Sequence, residues 1–308
     1  MNEVTTTSEF AKAPFYVRLK DRFVNWYMQW HSAGFYFSLP FMLIFVGAFL
    51  VPLLIVVLFG VMPEKSTAIN AWPTLDNYIK IFSGTYYKSL LGSFSLAIGT
   101  VVILLIICYP LAFAMVKVFK GFTDLITMAI VISLFVSENI RLFGWVLALM
   151  KNGIMSGICG WLHLPYDGLI YNTPVIIFGM VYVYLPFMLF PLTLGISMIP
   201  NTIRETAWDL GANRWNLFWK IDLPLSMPGV VIGSVLTFVL SIGALAESKI
   251  LGGERVVTIA SEIEGAFTYG QNWPVGSALS TVLLFIVGVV TVLAFRSFNP
   301  EESFGKRK

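Results

Sequence analysis

The stretch RETAWDLGANRWNLFWKIDLPLSMPG, residues 204–229, is polar and aromatic, yet long apolar runs flank it on both sides. It divides at Gly211 into two pieces with helical spacing. Ala207, Leu210 and Trp208 share a face of the first, and Trp215, Phe218 and Trp219 share a face of the second. Gly211 permits a left-handed or tight backbone at the join. Pro224 and Pro228 are expected to stop the second piece and set the path into the next run. The stretch therefore reads as a compact helix–turn–helix at a membrane surface, with apolar and aromatic side chains left exposed. A surface of that kind normally receives a partner.

Outward from this stretch, the apolar runs are long enough to span a bilayer. Residues 174–199 precede it without a charge, and residues 225–246 follow it without one until Glu247. Residues 35–62, 89–116 and 275–295 are also uncharged, and 125–150 are apolar apart from the surroundings of Glu138, Asn139 and Arg141. Crossing the hydrocarbon core takes roughly 20 helical residues, so six spans are expected. The runs do not alternate in hydrophobicity as barrel strands do, which selects helices. The first run is too long for the core of a cleaved signal. The composition agrees: 57% of the 308 residues are hydrophobic and 12% charged, against roughly 25% charged in soluble domains. Mean hydropathy is +0.80.

A net charge of +3, dispersed along the chain, excludes a nucleic-acid partner. Cys108 and Cys159 fall at different depths and predict no disulfide. His31 and His163 stand alone, so no histidine-rich metal site is expected. With a cytoplasmic N-terminus, 13 of the 20 Lys and Arg residues lie inside and 7 outside. Both termini and the 200–228 loop then face the cytoplasm. The domain organisation is a cytoplasmic tail over 1–34, a six-helix domain over 35–296 and a second cytoplasmic tail over 297–308. In the first tail, Leu19, Phe23, Trp26 and Trp30 recur about one turn apart among Arg18, Lys20 and Arg22. That pattern suits a short helix on the inner leaflet or one packed on its own bundle. Three segments face the other side: 63–88, with Thr74 or Asp76 as a helix cap; 151–173, with a short interfacial helix; and 248–274.

The spacing of Glu205, Ala207, Gly211, Ile221, Leu223 and Pro224 resembles the "EAA, then G, then I-x-L-P" signature of permeases in ATP-binding-cassette importers. Thr206 replaces the usual central alanine, a small change. VYVYLPFMLFPLTLGISMIPNTIRETAWDLGA, RLFGW followed by KNG, and LGGERV followed by NWPVGSAL resemble the spermidine/putrescine-type branch over most of residues 74–295. The resemblance implies an all-α membrane protein of the type I importer permease fold, in a bacterial inner membrane. It implies that the six signature residues form the coupling helix that seats on an ATPase. It further implies a second, non-identical permease subunit, two cytoplasmic ATPases carrying ATP and Mg, and a soluble solute-binding protein outside. This chain itself contains no G-x-x-x-x-G-K-[ST] phosphate loop. No covalent chemistry and no cofactor are expected on it.

Polar residues within the spans mark candidates for the solute path, because charges at that depth face cavities or one another. Glu138 and Arg141 lie one turn apart, beside the path or paired with each other, and Trp145 lies one turn further on. Tyr184 and Glu247 complete the set; carboxylates and aromatic faces suit a cationic solute. Pro186 and Pro191 are expected to loosen the fourth span. An ion-coupled secondary transporter of a small organic solute is the alternative, though it leaves the 204–229 stretch unexplained.

Overall fold

The computed structural model describes residues 33–65, 72–119, 121, 123–253 and 255–297. The interfacial helix expected among Leu19, Phe23, Trp26 and Trp30 lies outside the described residues, as does nearly all of the segment 297–308. The chain divides into two compact units, residues 1–58 and 59–308.

The first unit holds α1 (Ala33–Phe45), which passes through a π-helical turn at Val46–Leu50 into α2 (Val51–Gly60). Phe41, Phe45 and Phe49 follow one another at one-turn spacing, with ring centroids 6.5 and 4.8 Å apart.

In the second unit α3 (Asp76–Ser83) precedes α4 (Tyr86–Phe113), which ends in a π turn at Ala114–Val118. Then come α5 (Thr123–Leu134), α6 (Glu138–Leu149), α7 (Ile154–Trp161) and α8 (Thr173–Ser197). The stretch quoted at the outset supplies most of α9 (Asn201–Asp209), all of α10 (Arg214–Leu217), a π turn at Phe218–Asp222 and the start of α11 (Leu223–Ile242). α12 (Ala246–Ile250), α13 (Ile259–Thr268) and α14 (Trp273–Ser297) complete the described chain.

Among the described residues, six helical segments are long and apolar enough to cross a membrane: Phe37–Gly60, Tyr86–Val118, Glu138–Trp161, Thr173–Ser197, Arg214–Ile242 and Trp273–Arg296. Helix is the natural state for such runs, because it satisfies every backbone group within the segment.

The third span departs from expectation. No single helix runs over 125–150; α5 stops at Leu134 and α6 starts at Glu138. Ser137 between them is extended, with φ −53° and ψ 136°. This places Glu138 in the first turn of a new helix, where the positive end of the helix dipole favours a carboxylate. The second break falls at Gly243–Leu245, between α11 and α12.

Prolines do not mark these breaks. α8 stays continuous through Pro186 and Pro191, contrary to the loosening expected there. Pro224 and Pro228 do not stop the second helical piece either. Pro224 occupies the first turn of α11, where a missing N–H costs little. The π turns at Val46–Leu50 and Phe218–Asp222 lie just before Pro52 and Pro224. The wider turn makes room where a proline would otherwise press on the preceding carbonyl.

The centre of the second unit is formed by α4, α8 and α11. Leu104, Cys108 and Ala112 of α4 pack with Met180, Val183, Met188 and Leu192 of α8. α8 and α11 approach so closely that only glycine fits between them. A Cβ at Gly229 would lie 2.4 Å from the Pro191 carbonyl oxygen, and one at Gly195 would lie 2.9 Å from Gly229 Cα. Gly229 and Gly233 form a G-x-x-x-G pair facing α8, the arrangement that lets membrane helices pack backbone to backbone.

The segments expected on the far side also take shape. Thr74 Oγ1 accepts a bond from the Asp76 N–H at the start of α3, 3.3 Å. α7 is the short helix expected within 151–173. Within the second unit, which begins at Phe59, Asn77 is buried and donates to the carbonyls of Gly60 and Met62, at 3.1 and 2.6 Å.

Candidate functional site: a coupling elbow and a pair of helix breaks

The elbow is built from α9, a tight join and α10. Gly211 has φ +79°, a conformation that glycine adopts without steric cost. A Cβ there would meet nothing within 4 Å, so the demand is conformational and not spatial. The Gly211 N–H donates to Trp208 O and the Ala212 N–H to Ala207 O, at 2.8 and 2.9 Å, which closes the end of α9. The Asn213 side chain accepts from the Arg214 N–H at the start of α10.

Exposure separates the signature residues. Ala207 is buried, whereas Leu210 is 83% exposed, so the shared face expected for them is not found. Ile221 and Leu223 are half-buried in the π turn and at the start of α11; Glu205, Gly211 and Pro224 are exposed. Trp208, Trp215 and Trp219 are 49%, 69% and 57% exposed. Phe218 turns inward instead, its ring edge-on to Tyr109 of α4 with centroids 5.4 Å apart.

Polar contacts root the elbow in the bundle. Lys117 Nζ donates to Ile199 O at 2.7 Å and to Asn201 Oδ1 at 3.0 Å. The hydroxyls of Tyr109 and Ser226 are hydrogen-bonded at 3.0 Å, tying α4 to α11. Arg204 Nε stands 3.1 Å from Asp222 Oδ1, and its guanidinium lies 4.9 Å from the centre of the Phe113 ring. The two charges face each other without a well-aligned hydrogen bond. Sequence reading missed this pair. Its signal was two opposite charges flanking the elbow on separate helical pieces. An apolar cavity of about 810 Å³ lies behind the elbow, bordered by Leu105, Phe113, Trp208, Leu217 and Trp219.

The second site lies where the two helix breaks meet. A cavity of about 520 Å³ is lined by Glu138 and Asn139 at the start of α6, Tyr184 of α8, and Leu240 and Gly243–Ile250 around the second break. Glu247 is 0% exposed, and neither of its carboxylate oxygens has a hydrogen-bond partner. The Tyr184 hydroxyl stands beside it without making a bond of good geometry. Glu138 is half-buried. Lys249 also borders the cavity, and its ammonium pairs with Glu264 of α13. The wall beyond is held by hydroxyls: Ser93 Oγ of α4 accepts from the Ile259 N–H at 2.8 Å, and Thr258 caps α13.

Three of the five path candidates, Glu138, Tyr184 and Glu247, thus come together. Arg141 and Trp145 do not border this cavity. Arg141 does not pair with Glu138. Its guanidinium lies 5.6 Å from the Tyr182 ring centre and its Nη1 is 3.3 Å from Ser133 Oγ. Trp145 stands edge-on to Phe178 and Tyr182, with centroids 4.7 and 5.7 Å away. Asn139 and Lys249 are additions that the sequence did not single out as path residues.

No protein-family model matches the chain. It is 32% identical to the spermidine/putrescine transport system permease protein PotB of Haemophilus influenzae over 253 residues, 80% of this chain and 88% of that protein. PotB of Escherichia coli is 28% identical over 226 residues, 73% of this chain and 82% of that one. Among solved structures, a bacterial alginate transporter in complex with alginate pentasaccharide-bound periplasmic protein matches with a TM-score of 0.68 at 18% identity, covering 89% of this chain and 94% of that one. The all-α permease fold is common to both proteins despite the low identity. At 32% identity to PotB over four-fifths of its length, the chain belongs to the family of spermidine/putrescine-type permease subunits of ATP-binding-cassette importers.

Proposed function

We propose that this chain, an inner-membrane protein, lines half of the import path for a polyamine or closely related compound and receives its driving force at residues 200–228. The observation that carries the coupling role is the elbow itself. Three tryptophans and Leu210 stand in solvent on a segment rooted by Lys117, Tyr109 and Arg204. Exposed aromatic anchors on a firmly held scaffold suit docking of another protein. The solute class is taken from the named solutes of the PotB relatives.

In this reading both termini and the elbow face the cytoplasm, and residues 35–296 form the membrane domain. A non-identical second permease completes the path, and two ATPase copies hold ATP and Mg. A soluble binding protein delivers the solute at the opposite face, the role suggested by the periplasmic protein bound to the alginate transporter. Glu205, Ala207, Gly211, Ile221, Leu223 and Pro224 shape the docking elbow. The π turn and α11 continue directly from it, so motion at the elbow passes along one helix into the bundle centre. Import is then a population shift between two packings, biased by the nucleotide state of the ATPases. Family membership leaves the ion-coupled carrier without support.

Reconstitution tests this. The chain, its partner permease and the ATPase, placed in liposomes with ATP at the ATPase face, are expected to move spermidine or putrescine only with the binding protein present. ATP-independent uptake driven by an ion gradient would overturn the assignment.

A further inference from the structure

We propose that the cavity between the two helix breaks is a binding site for a primary ammonium group, with Glu247 as its central ligand and Glu138 at its rim. The permease then selects its solute by charge, in addition to any selection by a delivering protein. The proposal deepens the polyamine reading and rests on it for the choice of probe.

Glu247 carries the argument. Leaving a buried carboxylate without a hydrogen-bond partner is costly, and such groups are normally matched by a counter-charge or a bound ion. Among the described residues, neither a well-aligned hydrogen bond nor an ion pair reaches it. Lys249, on the same short helix, directs its ammonium to Glu264 on α13. Arg141 turns to Tyr182 and Ser133. The cavity is therefore lined by two carboxylates and by Lys249, whose ammonium is paired with Glu264.

The shape agrees with an alkylammonium end. About 520 Å³ is room for an amine and several methylenes. Tyr184 places a phenol beside Glu247, and Leu240, Ala244, Leu245 and Ile250 offer apolar wall to the carbon chain. An ammonium donates three hydrogen bonds and accepts none. The two carboxylates can receive them. A solute carboxylate would instead meet Glu247 as a like charge.

Position adds a consequence. The second break caps α11, and the elbow begins the same continuous helical run. A shift of α11 that separates α12 from α6 would pull Glu247 away from Glu138, so the drive that moves the helix would also release the amine.

The test uses the assembled importer in proteoliposomes with tritiated spermidine as probe, comparing wild type with E247Q, E247D and E138Q. Uptake by E247Q is expected to fall about 100-fold and by E138Q about tenfold, as for the loss of buried and rim charges. Assembly and the ATPase stimulation caused by loaded binding protein should persist, and E247D should recover part of the uptake. Wild-type uptake by E247Q overturns the site. If E247Q does not assemble, E138Q decides, and unaltered uptake by it overturns the site. The two readings fail separately. A wild-type importer that moves a different amine, with that movement lost in E247Q, refutes the polyamine assignment and upholds the ammonium site. Movement of a solute without an amine refutes both.

Discussion

At the elbow, large apolar side chains are exposed above a buried pair of opposite charges, Arg204 and Asp222. At the helix breaks, the Glu247 carboxyl is buried with no counter-charge against it among the described residues. Both arrangements are unfavourable for an isolated chain, and each is relieved by a different kind of visitor. Exposed tryptophans gain by meeting another protein surface, whereas a buried carboxyl group without a partner gains by meeting a small cation. The contrast distinguishes the proposed docking surface from the proposed solute site, and α11 starts at one region and ends at the other.

The largest effect is expected from the link. Gly229→Leu would drive a side chain into the Pro191 carbonyl and wedge α11 off α8. A cost of about 3 kcal/mol or more follows from such overpacking. Little monodisperse protein should then elute on size exclusion, and a normal yield would show that elbow and cavity do not depend on that crossing.

Next is the root of the elbow. Arg204→Ala leaves Asp222, 3% exposed, without its counter-charge. The expected loss is about 3 kcal/mol, the low end for a broken buried pair because Arg204 is itself one-fifth exposed. Thermal unfolding of the solubilised complex measures it; an unchanged midpoint would mean the pair does not anchor the elbow.

Trp215→Ala sharpens the comparison at the docking surface. Its 69% exposure predicts almost no change in the stability of this chain alone. Docking of the ATPase should weaken by about 2 kcal/mol, the scale of an aromatic hot spot. Titrating detergent-held permease with ATPase reads this, and equal affinity would move the contact elsewhere on the elbow.

Gly211→Asp is the mildest for the fold. The left-handed backbone costs an ordinary residue about 1 kcal/mol, and the space is open. Membrane insertion should be normal while solute moved per ATP hydrolysed declines. Full coupling in this variant would count against the join as part of the lever.

Legibility in the sequence differed between the two regions. The elbow could be read because it rests on local signals: charges and tryptophans between apolar runs, and a glycine where φ must be positive. Its detail was less legible, since α9 buries Ala207 and exposes Leu210, and Pro224 begins a helix where a stop was expected. At the second region Glu138, Tyr184 and Glu247 were individually visible as costly or polar groups in apolar surroundings. Their convergence was not, and the same reasoning grouped Arg141 and Trp145 with them. The i+3 spacing of Glu138 and Arg141 promised a shared face, but the break puts Glu138 at a helix start, and Tyr182 captures the arginine.

The amino-acid order by itself determined how many membrane-length helices form and where the helical elbow with its tryptophans falls. Apolar length and the local chemistry of glycine and charge suffice for both. Tertiary structure decided where helices break, which glycines meet, and which acid is left unmatched. An apolar run reads the same whether its helix is continuous or broken. The outcome depends on the neighbour: Gly229 is required because Pro191 and Gly195 of α8 lie against it, and Lys249 pairs with Glu264 of α13.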